Sequence, residues 1–93
     1  MEGVQVTDLY QASYLLLSGC ELTAIECIPT GGAVSCALSF QGADIHDSLE
    51  RWYEKRAQVN LWDFRSAYNQ INSYVHQAKK SYSRSKNSNG GEV

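Results

Sequence analysis

No stretch of this 93-residue chain is apolar enough to cross a bilayer. The longest run, Tyr14, Leu15, Leu16 and Leu17, is four residues long, where a membrane helix needs roughly 18. The first residues also lack a basic stretch. Six of them, with an acidic Glu2, precede the first expected helix, so no secretory signal is expected and the chain is read as cytoplasmic. Cysteine occurs three times, at Cys20, Cys27 and Cys36. An odd count without a signal argues against a disulfide framework. The spacing fits no common zinc pattern, in which two ligands fall within a few residues of each other. The cysteines are read as small buried hydrophobes, with a Cys27–Cys36 bridge left open as the alternative. Proline occurs once, as Pro29, which suits the end or the edge of a strand. Charge is sparse at 19%, while hydrophobic residues make up 43%. That balance excludes a disordered chain and indicates one small globular domain.

What is present begins with a hairpin. Val34, Cys36, Leu38 and Phe40 alternate with Ser35, Ala37 and Ser39, the period of two of a strand buried on one face. Gly31 and Gly32 form a two-residue turn that tolerates positive φ. Folding there sets Thr30 opposite Ala33, Cys27 opposite Cys36 and Ile25 opposite Leu38. The predicted strands cover 21–29 and 33–40, and their apolar face needs covering.

Helices flank the hairpin. Thr7 is the expected N-cap of a helix over 8–18, with Leu9, Ala12 and Leu16 on one stripe and Gly19 in the left-handed position after it. Asp44 is expected to cap a second helix, with Asp47 three residues on in the manner of a capping box. Ile45, Leu49, Trp52 and Tyr53 form its apolar face. Lys55 and Arg56 sit at its C-terminal end, and Asp47 with Arg51 adds an i,i+4 pair worth about 0.3 kcal/mol. Asn60 caps a third helix. Along it Leu61, Phe64, Tyr68, Ile71, Val75, Ala78 and Tyr82 recur at alternating steps of three and four, a heptad seam. Its early part, Phe64 to Ile71, is expected in the core and its later part beyond the body, free for a partner.

The fold class is therefore α+β: helix, β-hairpin, helix and long C-terminal helix. A two-stranded antiparallel sheet alone is marginal, so an edge strand from Val4 and Val6 or a second copy is expected to extend it. Residues 1–6 read as a flexible arm, 7–82 as a single domain and 83–93 as a disordered tail.

No catalytic or metal-binding constellation stands out, and neither an enzyme nor a cofactor is expected. His46 and His76 lie on different helices as surface residues. Asp44 and Asp47 have capping roles, and Gly31 and Gly32 lack the helix and lysine of a phosphate loop. Charge is uneven. Residues 1–75 hold four basic and nine acidic side chains, net −5, and 76–93 hold four basic and one acidic, net +3. The basic segment Lys79, Lys80, Tyr82, Arg84 and Lys86 is a candidate for weak, salt-sensitive nucleic-acid contact; the competing reading is a helix end and a solubilising tail. Ten aromatics, 11% of the chain, are more than so small a core can hold centrally. Trp62 and Tyr74 lie off the seam, and with Val75 and Ala78 they form the candidate surface for a protein partner or a second copy.

The string Thr7-Asp8-Leu9-Tyr10-Gln11-Ala12-Ser13-Tyr14-Leu15-Leu16 resembles the opening of a small bacterial and phage family of domains of unknown function. The order that follows is also similar: a glycine after the helix, a hairpin ending in Phe40, a helix through Leu49 and Tyr53, then Val59-Asn60 leading into an aromatic-rich helix. The likeness covers about residues 7–75 and rests on packing and capping residues. It implies a small α+β fold carried on mobile elements, and it transfers no catalytic residue.

Overall fold

The computed structural model describes residues 3–91, with side chains over 3–83. Its elements run β1 (Gly3–Val6), α1 (Leu9–Leu17), β2 (Glu21–Thr30), β3 (Ala33–Gln41), α2 (Ile45–Tyr53) and α3 (Leu61–Gly91). The fold is α+β with a three-stranded antiparallel sheet in the order β1-β3-β2. The two-stranded sheet is corrected to three strands by the edge strand expected from Val4 and Val6, and residues 3–6 pair with β3 where a flexible arm was the other expectation. Val4 pairs with Phe40 and Val6 with Leu38, so β1 completes the apolar face along β3. Of the expected disordered tail over 83–93, residues 83–91 continue α3, and 92–93 lie outside the described residues.

The hairpin has the register its sequence predicts. Thr30 faces Ala33, Cys27 faces Cys36 and Ile25 faces Leu38. Gly31 and Gly32 adopt φ of 53° and 88°, the doubly positive turn whose twist matches the strands it joins. A β-bulge lies between Leu22 and Ala24. Strict alternation would put Leu22 and Ile25, three residues apart, on opposite faces. The extra residue, Thr23, lets both face the core, and its hydroxyl donates to the Ser39 carbonyl at 3.2 Å.

All packing is on one face of the sheet. Cys36, Leu38, Phe40 and Val6 meet Ala12 and Leu15 of α1, Ile45 of α2, and Ile71 and Val75 of α3. The other face carries Gln5, Ala24, Glu26, Ile28, Ser35, Ala37 and Ser39, mostly small or polar, with Ile28 exposed among them and Ala37 buried. Helix α1 runs antiparallel to α3. Tyr10 stacks on Tyr68 at 5.0 Å and on Phe64 at 6.4 Å, while Leu16 and Leu17 share a cleft with Asp63 and Ala67. Ala12, Ser13 and Ala67 are buried, and such small side chains allow the two helices to approach closely. The hydroxyl of buried Ser13 donates back to the Leu9 carbonyl at 2.6 Å.

The N-cap of α1 is Asp8, not Thr7. Its carboxylate accepts from the amides of Tyr10 (2.8 Å) and Gln11 (3.3 Å), and Thr7 is left in the two-residue link from β1. Asp8→Ala should cost about 1 kcal/mol, read as a fall of about 4–8 °C in a thermal melt of a domain this size. The capping box at α2 is not formed. Asp44 occupies the N-cap position at φ −110° and ψ 25° without a side-chain cap bond. Asp47 instead pairs with Arg51 at 2.6 Å, both exposed. Asn60 caps α3 as expected, accepting from the amides of Trp62 (2.9 Å) and Asp63 (3.1 Å).

Candidate interaction surface

Helices α1 and α2 end in the same motif with different residues. After α1, Gly19 takes φ 94°, its amide bonds the Leu16 carbonyl, and the next amide, of Cys20, bonds Leu15. After α2, the amide of Lys55 bonds Trp52 and that of Arg56 bonds Arg51, with Lys55 at φ 60°. This is the Schellman pattern, in which the left-handed position favours glycine. Lys55 and Arg56 therefore lie just past the helix rather than within its last turn, and Arg56 pairs with Glu54 at 2.6 Å. Lys55→Gly should raise stability by about 0.5–1 kcal/mol, measurable as a higher urea midpoint at unchanged slope.

This reversal carries the chain through Val59 to the Asn60 cap and turns apolar side chains outward. Leu61 is 73% exposed and Trp62 67% exposed, and Tyr53 and Val59 are exposed beside them in sequence. Arg65 lies over the Trp62 ring at 5.8 Å, a contact worth about 0.5 kcal/mol at an exposed site. Four large apolar side chains within ten consecutive residues thus meet water, and the hydroxyl of one of them, Tyr53, accepts from the Gln11 side chain of α1 at 3.2 Å. Of these four, only Trp62 reads as a surface residue in the sequence, by its place off the seam. Leu61 keeps the spacing of the seam but precedes the part expected in the core, Phe64 to Ile71, and as the first residue of α3 it stands in water.

The other candidates fall elsewhere. Val75 is 7% exposed and belongs to the core, and Ala78 is half-buried. The seam of α3 is packed against the domain's own sheet and α1, so its middle does not wait for a partner. Tyr74 sits at the boundary, 36% exposed. Its hydroxyl accepts from Gln70 at 2.7 Å, and its side chain lines a cleft with Leu22 and Ile25 of β2. At 100° per residue, Trp62 and Tyr74 point about 120° apart around α3, so they are separate features.

Lys79 and Lys80 are exposed and Tyr82 is half-buried; the side chains of Arg84 and Lys86 lie outside those described. Lys79 flanks the core beside Cys36 and Val75, while Lys80 points about 100° away. Both lie about 26 Å along the helix from Trp62. The exposed aromatic residue and the basic segment are therefore two separate surfaces.

A cleft of roughly 430 Å³ is lined by Asp44, Asp47, Arg51, Asn60 and Asp63 together with Tyr14. Neither Cys20 nor His46 lines it. Cys20 packs against Gly42, and burial, then the Asp44 carboxylate, pushes its thiol up. Among the described residues no group of three or more His, Cys, Asp or Glu could hold a metal ion, and no helix is long and apolar enough to cross a membrane. No protein-family model, curated protein or solved structure matches the chain.

Proposed function

We propose that this chain is a small non-enzymatic protein-interaction module that docks through the apolar end formed by Tyr53, Val59, Leu61 and Trp62, and that a second copy is a partner it accepts there. The exposure of the adjacent Leu61 and Trp62 carries the reading. Large apolar side chains clustered in water mark binding surfaces more often than chance, and tryptophan is among the residues that dominate interface energy. The Arg65 side chain over the ring steadies Trp62 in its exposed pose, which lowers the ordering cost of docking.

Sedimentation velocity from low to high micromolar concentration tests this. The wild-type mass average should rise with concentration. Leu61→Ser with Trp62→Ser should remove about 3 kcal/mol of apolar contact, about a hundredfold in affinity, and keep the chain monomeric. A wild-type chain that stays monomeric throughout refutes self-association.

A second reading assigns weak nucleic-acid contact to the basic segment. It is favoured by the position of exposed Lys79 and Lys80 on the later part of a helix of 31 residues, about 46 Å long against about 33 Å for a ten-residue strand. Deletion of residues 79–93 should then abolish binding to a single-stranded oligonucleotide at low salt. Retained binding would remove these residues from the site.

A further inference from the structure

We propose that Cys27 and Cys36 form a redox modification site: a cross-strand dithiol that low-molecular-weight disulfides convert reversibly into an intramolecular disulfide. The two residues are direct partners in the β2–β3 ladder, and their Sγ atoms are 3.7 Å apart. Counting outward from the Thr30/Ala33 pair that closes the turn, the 27/36 pair is of the non-hydrogen-bonded kind. There the Cα atoms approach to about 4.5 Å, within the range a disulfide spans. Both thiols are free, so side-chain rotation suffices to join them and the strands keep their register.

Access is graded. Cys27 is half-buried on β2, an edge strand, and Cys36 is 6% exposed. A cleft of roughly 340 Å³ nonetheless reaches Cys36, with Leu9, Val34, Val75 and Lys79 around it. Burial, then the bond with Cys27, pushes the Cys36 thiol up, while the Lys79 ammonium pulls it down. Cys27, the more accessible, therefore attacks first. Its thiolate displaces one thiolate from the external disulfide and forms a mixed disulfide. Cys36 then gives up its proton and attacks the Cys27 sulfur, releasing the second thiol. Two electrons pass to the external disulfide, and two protons leave with the two released thiols. Cys20 stands at the far end of the sheet, about 23 Å of extended chain from Cys27, and remains a thiol.

The experiment incubates the full chain in oxidised glutathione, then alkylates, maps peptides and records thermal melts. The expected result is one alkylated cysteine, Cys20, a peptide linked through Cys27 and Cys36, and a melting temperature raised on the order of 10 °C, all reversed by dithiothreitol. Cys36→Ser should instead accumulate a glutathione adduct on Cys27. Three alkylatable thiols after oxidation, a persistent glutathione adduct on the wild-type chain, a bridge to Cys20 or to a second copy, or a Cys27–Cys36 bridge that lowers the melting temperature would overturn the assignment.

Discussion

Phe40→Ala should cost 3–5 kcal/mol, about the range seen when a buried phenylalanine is emptied from a core. Phe40 is 1% exposed. It lies between Val4 of β1 and Leu22 of β2 on the central strand, so no edge can fold in to fill the gap. A chain of 93 residues has a total stability of about 5–14 kcal/mol, so this one change should consume a large share of it. Equilibrium urea unfolding reads it as a midpoint shift at constant slope. Trp62→Ser, which removes a larger ring, should move the midpoint by no more than about 0.5 kcal/mol, because that ring already faces water. A large loss at Trp62 with a small one at Phe40 would invert the account of which aromatic side chains hold the domain and which are free to bind.

The second large effect tests β1. Val6 is 7% exposed, opposite Leu38 and within the core cluster. Val6→Asp places a carboxylate there without a partner, which costs several kcal/mol or drives the group to stay protonated. Loss of about 3–5 kcal/mol is expected, enough to leave much of the chain unfolded at 37 °C. If no folded protein is recovered, Val6→Ala serves instead and should cost about 2 kcal/mol. A flexible arm at residues 1–6 would make both variants silent.

Much of the fold is legible in the sequence, for identifiable reasons. The hairpin register follows from a strict period of two in β3 and a glycine pair that can hold positive φ at both turn positions. Asn60 and Gly19 announce the start of α3 and the end of α1 because few residues suit those positions. Other features hide for equally physical causes. Leu22 falls out of alternation with Ile25, and only the bulge at Thr23 brings both inward. Thr7 and Asp8 are both good caps, and the end of β1 at Val6 leaves Asp8 next to the first turn. Lys55 gives no sign of its left-handed conformation, because glycine is the usual signal there.

The candidate surface was legible only in part. Heptad spacing identifies the buried face of α3 but not where along its length burial begins and ends. Phe64 therefore reads as core and is half-buried, and Val75 reads as surface and is buried. Trp62 stood out because it breaks the spacing. Ala67 lies between seam positions, so the spacing gives no sign that its small side chain is buried where α1 packs on α3.

The most direct test of the central claim is a dilution series of the isotopically labelled chain followed by backbone amide spectra. If the free apolar end is the docking surface, shifts between low and high micromolar concentration should concentrate at residues 53–65 and leave 71–82 unchanged. Shifts centred on Val75, Ala78 and Tyr82, with Leu61 and Trp62 unmoved, would contradict it and return the partner surface to the later part of the seam.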